Sequence, residues 1–270
     1  MINPLNNFPI YFVYLFSRWR SIFVWSTCLF LLALMFTGLY ESFSSEIDRM
    51  SENAPAPLEA VWGGDLEYAS TPEGWLGIEL YGLMLPVILS IVGVIAGASV
   101  IGNEENDGTL ELLLASPISR FTLLVQKYLA AASQMLIIAF SVWIGIFIGT
   151  LLFPFDVSLL NVFYATLMAW LLGLVTFSIT LSVQCAKGRK TAAVFAGTIF
   201  VSASYIADIL PRLIDGLSSL KWVSAFFYYG GSDVLLRGIE PINLLLIVLV
   251  CALMFTFSIW TFNRRDTGIS

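Results

Sequence analysis

Asn103-Glu104-Glu105-Asn106-Asp107-Gly108-Thr109-Leu110-Glu111-Leu112-Leu113-Leu114-Ala115-Ser116-Pro117-Ile118-Ser119-Arg120 is the stretch on which the reading of this chain turns. It is an acidic, glycine-punctuated segment held between two long apolar runs. A connector between membrane spans needs only a few polar residues to reverse direction, and this one holds many more. Asp107 or Thr109 is placed to cap the first free amides of a short helix. Leu110, Leu112, Leu113 and Leu114 give that helix an apolar side, and Ser116-Pro117 ends it, because proline restricts the residue before it. A helix over 109–115 would be about two turns, roughly 10 Å long. A helix so short is marginal in water. Something must hold it, and the expected holder is another protein.

The flanks are membrane. Of 270 residues, 58% are hydrophobic and 12% charged, with a mean hydropathy of +0.86. A water-soluble domain carries about twice that charged share. The apolar residues fall in runs at Ile22–Tyr40, Ile78–Ile101, Tyr128–Leu152, Leu159–Val183, Thr191–Leu210 and Ile242–Phe262. Each approaches or exceeds the roughly 20 residues a helix needs to cross the hydrocarbon core. Period-two alternation is absent from them, which argues against an outer-membrane barrel. The expected fold is therefore an all-α integral membrane protein, a single domain of six transmembrane helices over 1–270.

Lys and Arg set the orientation. With both termini inside, Arg18, Arg20, Arg120, Lys127, Lys187, Arg189, Lys190, Arg264 and Arg265 lie on the cytoplasmic side of a cell membrane. The outer side receives Arg49, Arg212, Lys221 and Arg237, so the distribution obeys the positive-inside rule. The net charge of −6 comes largely from an acidic outer loop at 41–77, read as a solvated, translocated connector. Residues 1–21 mix aromatic and basic side chains and read either as a helix lying in the interface or as an extension of the first span. The segment 211–241 carries Trp222, Phe226, Phe227, Tyr228 and Tyr229, rings suited to a membrane surface, and is expected to dip into the outer leaflet as short helices before the sixth span.

Several chemistries are excluded. The chain has no histidine, which removes His-ligated haem, copper and zinc and His-dependent nucleophilic catalysis. Cys28, Cys185 and Cys251 are scattered in or beside spans and read as packing residues, with no metal site and no disulfide set. No phosphate loop, H-E-x-x-H or G-x-S-x-G is present, so no catalytic residue is assigned. The amino terminus makes a poor signal peptide. No nucleic-acid partner is expected; the bilayer is. An ion-coupled secondary transporter is disfavoured by the shortage of midplane charge, and a non-catalytic membrane scaffold is the bland alternative.

Small residues recur four apart at Gly93 and Gly97, at Gly145 and Gly149, and at Ala193 and Gly197, a spacing that lets helix backbones approach closely. Contacts within the subunit are the expected use. Gln126, Lys127, Lys187, Arg189 and Lys190 read as headgroup anchors. Asp208, near the outer end of the fifth span, reads as solvated.

Three segments together resemble the membrane subunit of ATP-binding cassette exporters of the type-2 permease family. Residues 104–120 look like that family's E-x-x-x-G-T-L-E-x-L-L-x-x-P-I-S-R element between the second and third spans. Ser224-Ala225-Phe226-Phe227-Tyr228-Tyr229 is similar to its S-P-F-x-Y-Y element, with Ala225 where proline is usual. Phe262-Asn263-Arg264-Arg265-Asp266 is similar to its F-x-R-R-D ending. The resemblance implies a permease that exports a substrate using a separate cytoplasmic P-loop ATPase, with ATP and magnesium bound there and no cofactor on this chain. It also implies a second permease copy, as a homodimer or with a related chain. The segment 102–120 would then be the cytoplasmic coupling helix and its flanks, with Glu104, Glu105, Asp107, Gly108, Thr109, Leu110, Glu111, Leu112, Leu113, Pro117 and Arg120 as the residues meeting the ATPase. Its leucines would anchor in a groove and its carboxylates would form the rim.

Overall fold

A computed structural model describes residues 9–51, 71–115, 118–214 and 216–265. Most of the acidic loop, the Ser116-Pro117 stop and Asp266 lie outside the described residues. The described residues are helical almost throughout. Long apolar runs leave the backbone no other way to satisfy its polar groups in lipid. The elements are α1 (Pro9–Ser17), α2 (Trp19–Ser51), α3 (Pro72–Asn106), α4 (Leu110–Leu114), α5 (Arg120–Leu152), α6 (Leu159–Lys187), α7 (Lys190–Leu213), α8 (Ala225–Tyr229), α9 (Gly231–Arg237) and α10 (Pro241–Arg264). A 3-10 turn over Ser218–Val223 precedes α8. Six helices are long and apolar enough to cross a membrane: α2, α3, α5, α6, α7 and α10.

The centre of the bundle is α3 against α6, and small residues set their distance. A Cβ on Gly97 would lie 2.6 Å from the Phe177 carbonyl oxygen, and one on Gly93 would run into Gly173 O, so these two backbones touch. Gly145 and Gly149 of α5 face Phe30, Ala33 and Thr37 of α2 in the same way. Gly197 of α7 meets Thr180 of α6, beside a fully buried Ala193. All three pairs lie in contacts inside this chain or, for Ala193, in its core. Around this centre α2, α7 and α10 turn much of their apolar surface outward.

Between the two readings of the amino-terminal segment, the structure gives a separate helix. α1 docks on α5, where Gln126 Oε1 accepts from Ile10 N (3.1 Å) and Tyr11 N (3.3 Å), supplying partners for amides of the first turn. Gln134 Nε2 donates to Tyr14 O at 3.1 Å. Gln126 is thus a buried helix cap and not a headgroup anchor, since its amide finds better partners inside the chain.

At the far end from Glu104, α3 opens with a π-helical stretch, Leu76–Met84, that sequence reading did not anticipate. There Leu85 N–H reaches back to Leu80 O, and Pro86 has no N–H to offer, so the Tyr81 carbonyl needs an outside donor. Tyr229 O–H supplies it at 2.8 Å, and Ser232 Oγ donates to Gly77 O at 2.7 Å. Burial pushes the Tyr229 phenol well above its ordinary pKa, which keeps it the donor. Short helices occur in 211–241 as expected, but Phe226 and Tyr229 belong to the core while Trp222 remains exposed. Ala225 also has a local reason: its N–H donates to Ser204 Oγ at 2.8 Å, a bond proline cannot make.

Candidate functional site

The segment 102–120 sits where four spans converge. α3 ends on a two-bond turn: Thr109 N–H reaches Glu104 O (2.9 Å), Gly108 N–H reaches Glu105 O (3.3 Å), and Gly108 takes φ +67°. This is the Schellman arrangement, with Asp107 as C-cap and Gly108 just beyond it. Gly108 therefore closes the second span and does not open the short helix. Neither Asp107 nor Thr109 caps α4 through its side chain. The helix is one residue shorter at each end than expected, Leu110–Leu114.

What holds α4 is its own chain. Leu110 is buried and Leu113 half-buried, so the apolar side rests on the bundle. Glu111 and Leu112 point away, with Leu112 74% exposed. Asn106, Asp107, Gly108 and Thr109 are exposed beside them. Ile118 packs back on the core, and Ser119 Oγ accepts from Thr122 N at 3.0 Å to start α5.

The carboxylates divide into two sets. Glu104 pairs with Lys127, whose ammonium also donates to Val100 O at 2.8 Å. Glu105 pairs with Arg265 and accepts from Gln184 Nε2. Arg265 in turn donates to Gln184 O and Cys185 O, both at 2.9 Å, capping the last carbonyls of α6. Lys190 Nζ reaches Asn103 Oδ1 at 2.9 Å, and Arg120 donates to Phe262 O and Arg265 O at 3.0 and 2.8 Å. Glu104 and Glu105 accordingly face into the chain, in place of the outward rim expected of them, and so does Arg120, expected to meet the ATPase. Lys127 and Lys190 are ligatures between helices, where headgroup anchoring was expected. The physical reason is that charged groups on neighbouring helices cost less to bury when they find a partner than when they desolvate alone: an opposite charge for Glu104 and Glu105, oxygen acceptors for Arg120 and Lys190. The outward surface is left to Asp107, Thr109, Glu111 and Leu112.

Six apolar spans with a fastened, outward-pointing loop define a multi-pass membrane protein of the permease kind. The chain belongs to the ABC-2 family transporter proteins, whose pattern it matches over residues 16–267. A search among curated proteins finds no match. Membership makes it a membrane permease component of an ABC transporter, without ATPase motifs of its own, in a family that works with a partner ATP-binding cassette ATPase.

Proposed function

We propose that this chain is the membrane-spanning subunit of an exporter, coupling ATP hydrolysis by a separate cytoplasmic ATPase to movement of substrate across the cell membrane. Two copies, or this chain and a related one, enclose the pathway; ATP and magnesium are held by the ATPase. Both termini and the 102–120 segment face the cytoplasm, α1 lies along the interface, and the 41–77 and 211–241 segments face outward. The observation that supports this reading best is the division of the acidic segment: an exposed knob at Asp107, Thr109, Glu111 and Leu112 on a base cross-linked to other spans. A push on the knob is delivered through the Schellman turn to α3, through Glu104–Lys127 to α5, and through Glu105–Arg265 to α6 and α10. Helices so linked shift as rigid bodies, not by local deformation.

The test is capture of the ATPase and permease-stimulated ATP hydrolysis. Glu111→Lys and Leu112→Asp change exposed groups, so expression and detergent stability should stay at the wild-type level. Capture should weaken at least about tenfold, ~1.4 kcal/mol. Full capture and full coupling in both variants would reduce the knob to a connector.

A further inference from the structure

Close to α1 a cleft opens between α2 and α3, floored by α5. Arg18, Ser21 and Gln134 stand at its polar part, and Ile22, Trp25, Ile95, Met135 and Ile138 line the rest. The enclosed volume is only about 50 Å³, and Ile95 is half exposed, so the cleft is a narrow channel open along its side. A compact solute would find no enclosure there. A single hydrocarbon chain laid along the channel would cover it.

Arg18 is treated differently from the other buried cations. Lys127 and Arg265 each have a carboxylate, whereas among the described residues no carboxylate pairs with Arg18. Its guanidinium is half-buried and held 5.1 Å from the centroid of the Tyr14 ring. Tyr14 is itself fixed through its carbonyl to Gln134. Next to it Arg20 is exposed and lies over Trp19, a ring 57% exposed. A pre-oriented cation thus stands where α2 enters its apolar run, above a channel leading toward the bilayer interior, with an amphipathic ring one residue on. Basic pockets between spans at headgroup depth recognise anionic lipid, and tryptophan marks that depth.

We propose that this cleft binds one molecule of an anionic phospholipid, its phosphate on Arg18 and one acyl chain along Ile22, Trp25, Ile95 and Ile138. Arg18 supplies the charge selection and the channel supplies the single-molecule stoichiometry.

The experiment is native mass spectrometry of delipidated protein in detergent, titrated with phosphatidylglycerol or phosphatidylcholine. One phosphatidylglycerol should be retained over phosphatidylcholine by about fivefold or more. Arg18→Gln should abolish the preference. Ile95→Trp, at a half-exposed wall where added bulk fills the channel and not the core, should lose the retained lipid with Arg18 intact. Millimolar inorganic phosphate should not displace it. Equal retention of the two lipids by the wild type would overturn the proposal. So would unchanged retention in Ile95→Trp, which would make the attraction one of surface charge alone, or displacement by phosphate, which would make the site one for a free anion.

Discussion

The two ends of this bundle are held together by different chemistry. At the end bearing the 102–120 segment the ties are charged: Glu104 to Lys127, Glu105 to Arg265, and Arg120 to two carbonyls of the last span's terminus. At the other end the ties between elements are neutral, and the ion pair described there, Arg212 with Asp208, lies within α7. Tyr81 O–H and Thr166 Oγ1 share a bond of 2.7 Å, Tyr229 and Ser232 donate to α3 carbonyls, and Trp75 Nε1 donates to Phe36 O at 2.9 Å. Neutral ties in a low-dielectric setting contribute modestly. Charged ties are different, because each partner is costly to strand. The charged end is therefore the one whose bonds must be exchanged together or not at all, which suits the moving part proposed for it.

Removing one partner of a buried pair should have the largest effect. Glu104→Ala strands the Lys127 ammonium, only 3% exposed, at a cost of about 3–5 kcal/mol. Thermal aggregation in detergent should show it, and the double variant Glu104→Leu with Lys127→Met should recover most of the loss. If the double variant is no better than the single, the charged end is not held by that pair. A smaller effect is expected at Gly108, where a Cβ meets nothing within 4 Å, so strain comes from φ alone. Gly108→Val should cost about 1–2 kcal/mol, and Gly108→Asn much less, as read by the same melting curves. A loss of ATPase capture larger than the loss of stability would assign the turn a role in contact as well as in closure. The smallest effect belongs to the neutral end: Ser232→Ala, which removes the bond from Ser232 Oγ to Gly77 O, should cost about 0.6–1.5 kcal/mol. Were it as damaging as Glu104→Ala, the contrast between the ends would fail.

The six spans were legible because hydropathy over some twenty residues needs no knowledge of neighbours. The same holds for the small-residue pairs, whose spacing is a property of one helix. Glu104 and Glu105 were not legible in this sense. Whether a carboxylate at a helix end faces a partner protein or Lys127 depends on the rotation of α3 against α5, α6 and α10, and no single run of sequence states that. Gln126 and Lys127 misled for the same reason, since a polar residue at the start of a span satisfies both the headgroup reading and the capping one. Gly108 was legible as a break between two helices, yet the direction of its cap was not. A glycine between two helices closes the first or opens the second, and only the bonds from Thr109 and Gly108 decide.

The π-helical opening of α3 carries a consequence for the order in which the protein is made. Tyr81 O receives its donor from a residue 148 positions later in the chain, and Gly77 O receives a donor from outside its own helix 155 positions later. Lipid offers a carbonyl nothing in exchange. The second span thus enters the membrane with its widest turn incompletely bonded, and stays so until the stretch before the last span has emerged from the ribosome and folded back. Synthesis of the carboxy-terminal quarter finishes a helix begun in the first third, and a chain truncated before Tyr229 would leave that helix incomplete however well its own sequence reads as a span.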